Sequence, residues 1–253
     1  MEQHRPTHTQ LIITLIGLVL IAGAIWYVNQ GQRVTNPAPV STDTTSQWPS
    51  KEITKQTISE ENQYYTISAA YPQTGSDRIT RELQAFVEDQ IAQFKSDTAW
   101  VTDPSLDSAA AGSLSLSVDY REVVSSYADT YVFTISTYTG GAHGLQVTRT
   151  FAYDKLGTPI ALNTLFAKPD TGLAKVAAFV QGELTKKDIS DPQWIKDGAA
   201  ATAENYQSFI ISDEGVTFVF DPYQVAPYAA GTQNILVPFA VFKPVANPEL
   251  FTK

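Results

Sequence analysis

Histidine is the side chain whose ordinary titration suits acid–base work near neutral pH, and this chain has three. His4 and His8 precede an uncharged apolar segment at residues 11–28, and only His143 follows it. A zinc centre with two or three histidine ligands is therefore excluded from everything after that segment. Cysteine is absent, which removes thiol nucleophiles, cysteine-ligated zinc, iron–sulfur clusters, a lipobox cysteine and disulfides. A serine triad needs one histidine only, so His143 must be weighed. It stands in Thr139-Gly140-Gly141-Ala142-His143-Gly144, and no G-x-S-x-G nucleophile elbow exists in the chain. The glycines permit positive φ and close backbone approach. They fit neither G-x-x-x-x-G-K-[ST] nor G-x-G-x-x-G. His143 reads first as a turn residue whose ring bonds a backbone carbonyl, and second as part of a recognition surface. Asp213-Glu214 reads as a solvated turn, and no acidic run has calcium-loop spacing. No catalytic residue, metal site or cofactor is expected, and the chain reads as a non-enzyme.

A second unusual stretch is residues 220–231, FDPYQVAPYAAG. Two prolines and two tyrosines make it a stiff aromatic loop. It either covers an open core edge or presents Tyr223 and Tyr228 for recognition, since tyrosine offers contact area at low entropy cost. The candidate binding set is Gly140, Gly141, His143, Gly144, Tyr223, Gln224 and Tyr228.

The elements that would carry these loops follow from periodicity. Residues 64–71 alternate as a half-buried strand closed by Pro72. Residues 78–95 place Ile79, Leu83, Phe86, Val87, Ile91 and Phe94 on one helical stripe, with Asp77 as N-cap. In 113–120, Leu114, Leu116, Val118 and Tyr120 alternate with Ser113, Ser115, Ser117 and Asp119. Residues 130–138 form the next strand, joined to it through a turn at 125–129. A short strand at 151–153 ends in the turn 154–157. Residues 162–166 make one helical turn, and a helix follows Asp170. A hairpin joins 209–211 to 216–220, and 235–238 is the last strand. The order predicts an α+β protein, antiparallel sheets with helices packed on one face. It divides into 51–125 and 126–253, either as two small domains or as one compact unit.

With 253 residues and 43% hydrophobic composition, the chain can build such a core. Net charge is −9, from 17 basic and 26 acidic residues. Nucleic acid, which needs a basic face, is excluded as a main partner.

Residues 11–28, LIITLIGLVLIAGAIWYV, would rise about 27 Å as a helix, close to a bilayer's hydrocarbon core. Trp26 and Tyr27 fall where an aromatic belt lies. Ala22-Gly23-Ala24 resembles a signal-peptidase site, but apolar residues continue beyond it, so an uncleaved single-pass anchor in the lipid bilayer is expected. Residues 1–10 form a short cytoplasmic head. Residues 29–50, rich in Pro, Ser, Thr, Asn and Gln, read as a flexible linker with a span of roughly 25–30 Å.

The run 138–145 (YTGGAHGL), then FAYD before Gly157, then LNTLF at 162–166, then FDPYQVAPYAAG resembles the RsiV-like family, whose C-terminal domain occurs in a lysozyme-receptor anti-sigma factor. The stretch 64–73 (YYTISAAYPQ) and the helix after it resemble the non-catalytic companion module of the peptidoglycan deacetylase PdaC. Together the two resemblances cover nearly all of 60–243. They imply a membrane-anchored, extracytoplasmic binding module of the bacterial cell envelope, whose partner is a lysozyme-like muramidase. The alternatives are a peptidoglycan-binding or wall-associated module, or a wall-modifying enzyme using His143. The ten-residue head is too short to hold a sigma factor, and the deacetylase's catalytic domain has no counterpart here.

Overall fold

The computed structural model describes residues 53–102 and 114–251. The expected head, membrane segment and linker, and Ser113, lie outside the described residues. No described helix is long and apolar enough to cross a membrane.

The first half builds β1 (Thr54–Glu61), β2 (Tyr65–Gln73), α1 (Asp77–Asp97), β3 (Leu114–Val124), β4 (Ala128–Tyr138), β5 (Leu145–Asp154) and β6 (Pro159–Ile160). These strands form one six-stranded sheet in chain order. Four of the pairs are antiparallel, as expected. The β2–β3 pair is parallel, which corrects the all-antiparallel expectation. The reason is the connection: the chain leaves β2, runs through the 21-residue α1 and re-enters beside β2 in the same direction. Parallel neighbours need a crossover of this kind. The turn that joins β3 to β4 is shorter than expected, residues 125–127, and a single sheet spans the division drawn at 125/126.

Helix α1 covers one face of this sheet. Leu83 and Val87, both fully buried, and Phe86 and Phe94 pack with Ile67, Leu116, Val118 and Phe133. The N-cap is Ser76 rather than Asp77: the Ser76 Oγ accepts from the Ile79 N–H at 3.4 Å. Asp77 instead occupies the first turn, where its charge complements the helix dipole. Ser76→Ala is expected to cost about 1 kcal/mol in chemical denaturation, the usual worth of such a cap. Pro72 does not end β2, which continues to Gln73. Pairing with β3 has stopped at Ala69, so the missing N–H at Pro72 leaves no ladder gap on that side.

Strand β5 is far longer than the expected 151–153. Its first half, LQVTRT, hides the alternation because threonines occupy sites that meet a second layer. That layer comprises α2 (Pro169–Lys186), α3 (Pro192–Gly198), β7 (Phe209–Ile211), β8 (Gly215–Phe220), β9 (Gln233–Pro238), α4 (Phe239–Phe242) and α5 (Pro248–Phe251). A 3₁₀ turn, Leu162–Leu165, precedes it. Strands β7, β8 and β9 form an antiparallel three-stranded sheet.

The small sheet sits on the face of the large sheet opposite α1. Val132 packs with Ile210 and Val219. Ala128, Ala152 and Ile160 share a core with Phe209, Phe218, Phe220 and Phe242. The Ser208 hydroxyl donates to the Thr148 carbonyl at 2.8 Å, and the Phe209 N–H donates to Thr150 Oγ1 at 2.9 Å. The mixed α+β class is therefore observed, but helices lie on both faces of the first sheet rather than on one: α1 on one side, and the second sheet with its own helices on the other, because each face has apolar residues to bury. Coverage of this second face is partial. It ends before the edge formed by β1, β2 and the starts of β3 and β5, where Ser59, Thr66, Ser68, Ser117 and Gln146 stay exposed.

Candidate functional site

Three side chains from the two candidate loops meet at the rim of that open face. The His143 ring, on the β4–β5 loop, stacks on Tyr228 with ring centroids 4.1 Å apart and 20° between planes. Tyr223 lies 5.5 Å from Tyr228 and 6.2 Å from His143. The sequence separation between His143 and Tyr223 is 80 residues, so only the fold brings them together.

The hydrogen bonds fix the ring. Nδ1 lies 2.9 Å from the Gly144 carbonyl, which can only accept, so Nδ1 carries the hydrogen. Nε2 is then the acceptor in the neutral ring and takes the Tyr223 hydroxyl at 3.2 Å. The expectation of a histidine bonding a backbone carbonyl matches this arrangement. Both ring nitrogens are thus engaged, one with the loop's own backbone and one with the Tyr223 hydroxyl. Among the described residues no cluster of three histidine, cysteine or acidic side chains could hold a metal.

Gly140 and Gly141 adopt φ of 99° and 110°, a region that disfavours L side chains. The turn they make brings the Gly141 carbonyl to the Tyr138 hydroxyl, which donates at 2.9 Å. Gly144 lies tight against the Thr137 carbonyl: a Cβ there would approach it to 3.0 Å. The glycines therefore shape the loop and present its ring.

Gln224 has a different position from the one expected. It is half-buried and acts as a brace: its Nε2 donates to the carbonyls of Gly198 at 3.1 Å and Asn205 at 2.9 Å. Its Oε1 accepts from the Asp221 N–H at 3.3 Å. The adjacent Tyr223 has φ of 71°, unusual for a bulky residue. The Trp194 indole N–H donates to the Tyr223 carbonyl at 3.0 Å and holds this backbone in place. Strain of this sort persists only where the surroundings over-determine it.

Beneath the loop is an anchor that pattern reading missed. The Asp221 carboxylate accepts the Thr148 N–H at 2.7 Å and the Arg149 guanidinium at 3.0 Å. This ties the start of the aromatic loop to β5. Burial pushes the Asp221 carboxyl above its ordinary pKa, while Arg149 and the Thr148 N–H pull it back. A lone aspartate before a proline gave no sign of that role; pairing needed the fold.

The rim borders a groove of about 190 Å³ lined by Ser115, Ser117, Ser136, Tyr138, Gln146 and Tyr228, among others. Its floor is hydroxyl-rich and its wall aromatic.

Known proteins share these two parts. Residues 58–146 match the family described as deacetylase PdaC, and residues 163–240 match the family described as a protein of unknown function, DUF3298. The chain pairs a PdaC-like module with a DUF3298, or RsiV-like, domain. The peptidoglycan-N-acetylmuramic acid deacetylase PdaC of Bacillus subtilis is 27% identical over 243 residues, 94% of this chain and 51% of that protein. Immunogenic protein MPT64 of Mycobacterium tuberculosis is 35% identical over 100 residues, 39% of this chain and 43% of that protein. The chain thus spans about half the length, or less, of these curated relatives. A DUF3298-family structure from Bacteroides fragilis superposes with a TM-score of 0.57 at 17% identity, covering 79% of this chain and 95% of that one. Another from Pseudomonas aeruginosa gives 0.50 at 15% identity over 79% and 97%. These two likenesses bear on the fold alone. The PdaC-like match ends three residues past His143, and the DUF3298 match holds Tyr223 and Tyr228, so the aromatic cluster joins the two matched segments.

Proposed function

We propose that this protein is a wall-associated binding module of the bacterial cell envelope, with peptidoglycan as its ligand. It is held to the membrane through residues 11–28, with its folded part on the extracytoplasmic side. The observation that carries the reading is the His143–Tyr228–Tyr223 cluster standing over a hydroxyl-lined groove. Sugars offer apolar ring faces to aromatic side chains and hydroxyls to polar ones, and the groove supplies both. The name of the Bacillus relative, a peptidoglycan deacetylase, supports the choice of polymer. No catalytic role is assigned: the cluster binds and orients.

The test is retention of the full chain on insoluble peptidoglycan. Tyr228→Ala is expected to weaken retention about tenfold, as for a central aromatic contact, with the folded state intact. Unchanged retention by this variant would remove the aromatic cluster from the binding site.

A second reading has one observation in its favour. The surplus of nine negative charges would attract a basic lysozyme-like muramidase, chiefly through on-rate. Calorimetric titration with lysozyme distinguishes the two. Saturable binding that persists at physiological salt supports this partner, and heat that vanishes with salt reduces it to charge attraction.

A further inference from the structure

The aromatic cluster occupies one end of a longer feature. The strand registers place Ser59 opposite Ser68, Ser68 opposite Ser117, Ser117 opposite Ser136, and Ser136 opposite Gln146. Residues paired in register point to the same face, so five polar side chains form one row from β1 to β5. A second row beside it runs Glu61, Thr66, Ser115 and Tyr138. The neighbours of the serines, Ile67, Leu116, Val118 and Ile135, point the other way, into the core under α1.

We infer that this row is the floor of an extended glycan site, which receives an uncharged oligosaccharide strand lying across the five strands. The inference rests on the wall-binding reading above and names the part of the ligand that is read. Three properties of the row support it. It contains no charged side chain, although the chain carries a net charge of −9. Asp119, two residues beyond Ser117, is neutralised by Lys55 at 2.8 Å. An ionic ligand would find no counter-charge on the floor, whereas hydroxyl and acetamido groups would find matching donors and acceptors. Among the described residues, none of the five side chains has a hydrogen-bond partner within the protein. Finally, four inter-strand spacings span about 19 Å, too long for one sugar ring and suited to a short oligomer. The His143–Tyr228 stack closes the β5 end of the row, where one ring face can rest against it.

The experiment uses the full chain in detergent and β-1,4-linked N-acetylglucosamine oligomers from disaccharide to hexasaccharide. Affinity is expected to rise with each added ring until the row is filled, then level off. Ser68→Lys and Ser117→Lys, both at exposed positions, should weaken the longest oligomer about tenfold and the disaccharide much less. Ser117→Thr, which keeps the hydroxyl, should retain binding, and the melting temperature should hold across the series. Retention on peptidoglycan without length dependence, or with both lysine variants unimpaired, would overturn the extended site and leave the wall reading standing. A chain that binds no oligomer and no peptidoglycan, but binds lysozyme saturably, would overturn both.

Discussion

Asp221→Ala is expected to destabilise the fold by about 3 kcal/mol and to loosen the aromatic loop. The carboxylate is four-fifths buried, with side-chain exposure of 19%, and Arg149 beside it is 39% exposed. Removing one member of a buried pair costs about 3–5 kcal/mol because the other charge is left uncompensated. The exposure of Arg149 lowers that figure, since water can take up part of its charge. Against this, alanine also strands the Thr148 N–H, which loses its acceptor at 2.7 Å, a loss of about 1–3 kcal/mol where water cannot enter. Asp221→Asn also leaves Arg149 without its counter-charge but keeps an acceptor for Thr148, so it should cost less than Asp221→Ala by about the 1–3 kcal/mol of that bond. Urea denaturation of the two variants separates these contributions. Equal losses in both would mean that the charge carries the anchor and the Thr148 bond adds nothing.

The parent and Asp221→Asn should also differ in their dependence on pH, with a definite sign. Burial outweighs Arg149 and raises the Asp221 carboxyl above its ordinary pKa in the native state. As pH rises through the ordinary carboxylate range, the unfolded chain therefore releases this proton first. The native state then holds more protons than the unfolded one, so unfolding free energy falls with rising pH. Relative to Asp221→Asn, the parent should lose stability over the interval from the ordinary value to the raised native one. The difference should level off above it. Denaturation at graded acid pH would sink the assignment if the parent instead gained stability across that interval.

Local pattern served well where one face of an element met one core. Leu114, Leu116 and Val118 alternate with serines because α1 covers one side of β3 and solvent the other, and the reading of that strand matches the structure. The stripe from Ile79 to Phe94 matches α1 for the same reason. Pattern failed where two layers met. In β5, Thr148 and Thr150 face the small sheet and bond to Ser208 and Phe209, so buried sites there are polar and the alternation disappears. It also failed for β1, an exposed edge strand whose TKQTISEE offers no apolar face. Direction of pairing was beyond it as well. Nothing in β2 or β3 alone distinguishes parallel from antiparallel partners, and only the length of α1 bears on the choice. For the site, the unusual residue types in the two loops were visible, but their meeting was not. His143 and Tyr223 come together because the small sheet docks on β4 and β5. Gln224 shows the converse. Its place between two tyrosines suggested a surface role, yet the close packing of α3 against its backbone turns it inward.

That packing leads to the most disruptive single methyl group expected among the described glycines. Gly198 ends α3 directly beneath the aromatic loop, and a Cβ built there would overlap the Gln224 carbonyl and reach the Val225 Cα at 3.2 Å. The obstacle is backbone, which cannot rotate away as a side-chain tip can. Gly198→Ala must therefore displace either α3 or the loop. Overpacking of this kind costs about 1–3 kcal/mol, and the upper end is expected because the shift also breaks the bond from Gln224 Nε2 to the Gly198 carbonyl. Helix propensity pulls the other way by up to about 1 kcal/mol, so a net loss measures the steric conflict directly. Gly182 provides the control. It lies in α2 with nothing within 4 Å of a built Cβ, and Gly182→Ala should stabilise by about 0.5–1 kcal/mol. Since Gln224 is fixed between Tyr223 and the rest of the loop, Gly198→Ala should also move both tyrosines off His143. Retention on peptidoglycan should fall with stability in this variant and stay unchanged in Gly182→Ala. A Gly198→Ala protein that is less stable yet fully retained would show that the tyrosines keep their place without the brace, and that the loop's position is set by the Asp221 anchor alone.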